Sequence, residues 1–157
     1  MVNSRTLQKR GFTLIELLVV MGIITTLTTF IVVSLDPVTR FAQARNSRRI
    51  TDIDSILVAI QEYIVDNNGD LASTGVTTTE KQLGTCLSGG NTACSDAAAD
   101  CLNLTSTLSK YLKSIPIDPN GTSEFTGYSV VTDSNNIITV TACKTEAPET
   151  TPLSVSR

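Results

Sequence analysis

Residues 12–35 form a run of 24 mostly apolar residues in which Glu16 is the single charge. About 20 apolar residues are enough for a helix to cross a bilayer, so this segment is expected to span one. Arg5, Lys9 and Arg10 all precede it, and an excess of cations places that end in the cytoplasm and the bulk of the chain on the far side. An ordinary secretory leader is cut beyond its apolar stretch. Here the small residue at the boundary, Gly11, lies on the near side, so a cut after it would leave the apolar segment in the mature protein.

Glu16 stands out within that segment, because a carboxylate inside a membrane helix costs on the order of 2.5–3.5 kcal/mol, less near a helix end. Such a group requires a partner. An acid and an amine buried together in an apolar medium compensate charges that are each costly alone.

The order Lys9-Arg10-Gly11-Phe12-Thr13-Leu14-Ile15-Glu16-Leu17-Leu18-Val19 resembles the type III leader of bacterial type IV pilins and type II secretion pseudopilins. The resemblance implies that a membrane-embedded prepilin peptidase cuts after Gly11 and methylates the new amine on Phe12. It also implies that Glu16 meets the positive N-terminal amine of a neighbouring subunit during assembly. The partners implied are further copies of the chain, joined through their N-terminal helices, the peptidase, and a pilus or secretion assembly machinery. The localisation implied is a single-pass precursor in the inner membrane, then an extracellular filament.

Removing residues 1–11 takes Arg5, Lys9 and Arg10 with it, leaving nine cations against fifteen acids. Nucleic acid is not the expected partner of such a balance, since phosphate binding calls for a basic patch. The dense basic cluster after the leader, Arg40, Arg45, Arg48 and Arg49, is expected to serve electrostatics within a filament or at the membrane surface, with Arg48 and Asp52 placed to pair locally on a helix. The chain has no histidine, and the Ser and Thr residues have no visible activating base, so no catalytic residues and no cofactor are expected.

Cys86, Cys94, Cys101 and Cys143 all lie beyond the apolar segment, where the topology predicts an oxidising compartment and therefore disulfides. They contain no C-x-x-C pair, and no metal site is expected. Four cysteines allow three connectivities. The reading favours Cys86 with Cys94 and Cys101 with Cys143. Asp118, Asn120 and Asp133 are oxygen donors of the kind calcium needs, but they form no loop with donors at alternate positions.

Asp36-Pro37 predicts a kink or local break. Beyond it, Ile50, Ile53, Leu57, Ile60 and Ile64 recur at helical spacing, while Arg49, Asp52, Asp54 and Glu62 are expected to stay wet. The helix should stop in the turn-forming stretch around residues 66–69. Residues 71–100 read as stapled loop, residues 105–113 as a short second helix, and Asp118-Pro119 as a turn similar to one in pseudopilins. Runs at residues 127–132 and 137–142, separated by Asp133-Ser134-Asn135-Asn136, read as a hairpin. The tail after Cys143 is expected to be mobile.

The fold expected is therefore α+β and pilin-like, a long N-terminal helix packed on a small antiparallel sheet. Residues 1–11 are the leader, and residues 12–66 the helix, with a filament-core half (12–35) and an amphipathic half (36–66). Residues 67–157 form the head. The expected function is a type IV pilus subunit; the alternative is a pseudopilin of a type II secretion or competence system.

Overall fold

A computed structural model describes residues 11–157. Arg5, Lys9, Arg10 and the rest of the predicted leader before Gly11 lie outside the described residues. The chain divides between Arg40 and Phe41 into two compact units.

In the first unit, helix α1 runs Leu14–Ser34 with no buried residue. It is apolar all round, the pattern of a helix that lies in a core or in lipid rather than on a globular surface. Its mean hydropathy over 18 residues is 2.4, enough to span a membrane by length and composition. Leu35 closes it, donating its N–H to the Ile31 carbonyl at 3.1 Å. Asp36 adopts φ +40°, and helix α2 begins at Pro37. The break is also a start signal: proline suits the first helical position, and the Asp36 carboxylate accepts a hydrogen bond from the Thr39 hydroxyl in the first turn.

In the second unit, α2 continues to Asp66 (Pro37–Asp66 in all) and buries Ile53, Ile56, Leu57, Ala59 and Ile60. Asn68 and Gly69 end it with positive φ, and the Gly69 N–H reaches back to the Ile64 carbonyl at 2.8 Å, satisfying an orphan helix carbonyl. Against the buried face lies a four-stranded antiparallel sheet in the order β1 (Lys81–Gln82), β2 (Tyr128–Thr132), β3 (Ile138–Ala142), β4 (Leu153–Ser156). Tyr128 faces Ala142 and Val130 faces Val140 in the β2–β3 register. Their side chains meet Leu83, Leu104 and Leu108 and the α2 isoleucines in one core. This is the expected α+β, pilin-like arrangement of a long N-terminal helix and a small antiparallel sheet.

Four expectations are corrected. Residues 105–113 form no helix, 105–111 being consecutive turns: Leu108 and Leu112 bond back to Leu104 and Leu108 at 2.9 and 2.8 Å, but the Asn103 side chain takes the Thr105 N–H and the Ser109 hydroxyl takes the Ser106 carbonyl, competing locally for backbone groups. The tail is tied down, because Leu153 and Val155 alternate with Ser154 and Ser156 and pair with β3. Arg49 is fully buried and Ile50 is exposed, the reverse of the expectation. Last, the structure joins Cys86 to Cys101 and Cys94 to Cys143, not Cys86 to Cys94 and Cys101 to Cys143.

The backbone explains that pairing. A parallel bridge between Leu83 and Leu102 and a hydrogen bond from Cys101 N–H to the Cys86 carbonyl at 3.0 Å set Cys86 and Cys101 side by side, Cα to Cα 5.0 Å. Cys94 is left to reach the end of β3 at Cys143, Cα to Cα 4.8 Å. Both separations fall in the normal disulfide range.

Candidate functional site

The entrance of α1 is built by the sequence Thr13-Leu14-Ile15-Glu16, a capping box. Thr13 is the N-cap, its hydroxyl accepting from the Glu16 N–H at 3.3 Å, while the Glu16 carboxylate accepts from the Thr13 N–H at 2.8 Å and from its hydroxyl at 2.9 Å. Two orphan donors of the first turn are satisfied reciprocally. The arrangement holds an exposed carboxylate four residues after Phe12, which is 92% exposed. Gly11 is exposed as well, and a side chain there would meet nothing within 4 Å. The Ser/Thr-x-x-Glu spacing was legible in the sequence as a helix start, a role for Glu16 that its charge alone did not suggest.

The apolar surface of α1 is wholly uncovered. Its threonines at 25, 26, 28 and 29 do not compete with that apolar character, because each hydroxyl donates to a carbonyl three or four residues back. A surface of this kind requires lipid or other apolar helices around it.

In the second unit, a polar clasp joins three distant segments. Arg49 on α2 donates to both carboxylate oxygens of Asp118, the Nη2 bond being 3.1 Å, and Nη2 also reaches Glu146 at 3.0 Å. Arg45, one turn earlier, forms a two-pronged pair with Glu146. Asn46 completes the set: its amide donates to the Glu146 carbonyl at 2.6 Å, and its oxygen accepts from the Glu146 N–H and from Arg49. Hydrogen bonds from Arg45, then those from Arg49, pull the Glu146 carboxyl down from 4.5 to about 2, against the opposing effect of burial. Gly127 makes room for Asp118; it sits at φ +82°, and a Cβ there would lie 2.9 Å from the Asp118 Cβ.

Asp118 is thus committed to Arg49. Asp133 is committed to the hairpin, accepting from the N–H groups of Asn135 and Ile137 at 2.8 Å, bonds that hold its carboxyl below the usual range. Among the described residues no group of three or more acidic, cysteine or histidine side chains converges to hold a metal ion. Arg48 and Asp52 stand 3.7 Å apart, and Asp52 also accepts from the buried Tyr128 hydroxyl at 2.7 Å; burial and that bond push the tyrosine pKa up. The clasp was missed in the sequence because its members lie 69 and 97 residues apart.

Residues 7–32 match the prokaryotic N-terminal methylation motif, which is characteristic of type IV pilins and pseudopilins. The match begins at Leu7, just before Lys9 and Arg10, and ends inside α1. The motif marks a structural rather than a catalytic family and implies processing by a prepilin peptidase. Together with the apolar helix it points to a membrane-anchored precursor. No curated protein and no solved structure matches the chain.

Proposed function

We propose, from the methylation motif and the helix that follows it, that the chain is a type IV pilin. A prepilin peptidase removes residues 1–11, the amine of Phe12 is methylated, and processed copies leave the membrane by packing their α1 helices into the core of an extracellular filament. Glu16 pairs with the N-terminal amine of a neighbouring copy, which sets register because a subunit one step out of place leaves two buried charges unpaired, each broken pair costing roughly 3–5 kcal/mol.

The observation that carries this reading is the coincidence of cut site and helix. On this reading the cut lies on the N-terminal side of a 21-residue apolar helix with no buried residue, and the motif match, residues 7–32, supports it by spanning both. A plain membrane anchor has no use for a cut there. The head, cross-linked twice, is suited to exposure. A second reading, a pseudopilin in a short envelope-spanning assembly, is favoured by the Asp118-Pro119 turn, which resembles that of pseudopilins and is locked to α2 by Arg49.

The deciding experiment is electron microscopy of sheared cell-surface material, with mass spectrometry of the recovered N-terminus. Long fibres of a chain that begins at methylated Phe12 are expected. A processed chain that remains in the envelope without fibres supports the pseudopilin reading, and an unprocessed chain beginning at Met1 overturns both.

A further inference from the structure

Within the second unit, α2 is electrically polarised. Residues 41–49 carry Arg45, Arg48 and Arg49 and no acid, while residues 50–66 carry Asp52, Asp54, Glu62 and Asp66 and no cation. Internal bonds absorb part of this asymmetry: Arg45 and Arg49 are held by Glu146 and Asp118, Asp52 by Tyr128, and Asp66 by Lys110 and Tyr111. Three outward charges remain. Arg48, 62% exposed at its side chain, has only the long 3.7 Å contact with Asp52. Asp54 and Glu62 are exposed and have no partner among the described residues.

Asp54 and Glu62 are not scattered on open surface. They line a groove of about 430 Å³ together with the apolar Ile50, Val58 and Leu112, Ile50 and Val58 being exposed. An apolar lining shared with two unpaired acids calls for an occupant that brings an apolar side chain and a cation on one face. The first half of the same helix presents that pair. Phe41 is 65% exposed, and Arg48 follows seven residues later, two helical turns on and on the same face.

We propose that this groove receives the Phe41–Arg48 face of a second copy of the chain, the two α2 helices lying parallel and staggered, with Arg48 of one copy beside Glu62 of the next. The parallel orientation rests on the pilin reading, in which every copy leaves the membrane in the same direction. Placing Arg48 beside Glu62 sets an offset of 14 residues, about 21 Å along the helix. In that register Phe41 falls beside Ser55, over the groove between Asp54 and Val58. Because the two faces differ, the contact is head-to-tail and repeats without closing, as a filament requires. Charge sets the stagger: a neighbour in zero register would set like charges side by side.

The test is a charge exchange in the full-length chain expressed with its assembly machinery, read as the amount of sheared filament. R48E alone and E62R alone each lower that amount about tenfold or more, the effect of like charges meeting across a contact. R48E/E62R together return it to near the wild-type amount. The two positions stand about 21 Å apart within one helix, so restoration can arise only between copies. Both side chains are exposed, and unchanged thermal unfolding of each variant serves as the folding control.

A second readout does not depend on filaments. In vesicles containing isotopically heavy and light full-length copies of R48K, a zero-length carbodiimide is expected to join the introduced amine to Glu62 of the other isotope. Single reversals without effect on filament and no mixed-isotope cross-link overturn the proposal, as does an R48E defect confined to binding of phosphatidylglycerol vesicles, which would assign the basic face to lipid. A wild-type chain that is never cut after Gly11 in cells, while R48K gives the mixed cross-link in vesicles, overturns the pilin reading and leaves the contact standing.

Discussion

Arg49 and Asp118, 69 residues apart in the chain, meet as a two-pronged ion pair whose side chains are 0% and 2% exposed. The pair fixes the turn at Asp118-Pro119 to the middle of α2, and Glu146 adds the C-terminal segment to the same point. Two distant segments are thereby docked on the helix. Burying two charges is costly unless every lone pair and proton is satisfied, and among the described residues no buried side-chain nitrogen or oxygen lacks a partner.

Removing the cation alone should be severe. R49M leaves the Asp118 carboxylate buried without its counter-charge and is expected to lose roughly 3–5 kcal/mol, whereas R49M/D118L, which removes both charges, should recover part of that. R48A, on the exposed side of the same helix, should cost less than about 1 kcal/mol. Urea denaturation of the full-length protein in detergent micelles separates the three, and equal losses for R49M and R48A would contradict the geometry.

Glu146 gives the clasp a pH dependence of defined sign. Its folded pKa, about 2, lies below its ordinary value of 4.5. The stabilisation is therefore present in full above the ordinary value and is lost as pH falls towards the folded one. Arg45 and Arg49 stay protonated throughout. The urea midpoint of the wild type should fall as pH is lowered through that interval, and E146Q should show a smaller fall. Asp66, Asp100 and Asp133 are also held below their usual range and contribute equally to both proteins, so the difference between the curves reports Glu146.

What the sequence revealed and what it hid follow from the range of the interactions involved. The α1 segment was legible because its length and its single charge admit few alternatives. The β2–β3 hairpin was legible because Tyr128, Val130, Ile138 and Val140 alternate around an Asp-Ser-Asn-Asn turn. β4 was obscured by the two prolines and the hydroxyl-rich stretch before it, although Leu153-Ser154-Val155-Ser156 repeats with a period of two. Arg49 shows the cost of reading charge before periodicity: it precedes Ile53, Ile56 and Ile60 by four, seven and eleven residues, which places it on the core face. Its partners and those of the cysteines come from distant segments, and no local spacing encodes them.

The two disulfides should differ in weight. Cys94 and Cys143 close a loop of sequence separation 49, Cys86 and Cys101 one of 15. Chain entropy assigns about 4 kcal/mol to the longer and about 3 kcal/mol to the shorter. Replacing Cys94 and Cys143 with serine is therefore expected to lower the unfolding temperature more than replacing Cys86 and Cys101. Calorimetry of the two double variants checks the order, and peptide mapping under non-reducing conditions checks the pairing itself.

Glu16 has two separable duties. Its carboxylate caps the start of α1 through Thr13, and under the pilin reading it also carries the charge that meets a neighbour's amine. Glutamine keeps an acceptor oxygen at the third helical position and still completes a capping box, but it has no charge. E16Q should therefore retain the helix start while losing assembly, whereas T13V should weaken the cap and leave the charge in place. Mass spectrometry of the N-terminus and counts of sheared filaments distinguish the two effects. E16Q cut after Gly11 and methylated at Phe12 but almost free of filaments is the expected result; wild-type filament yield from E16Q would reduce Glu16 to a capping residue.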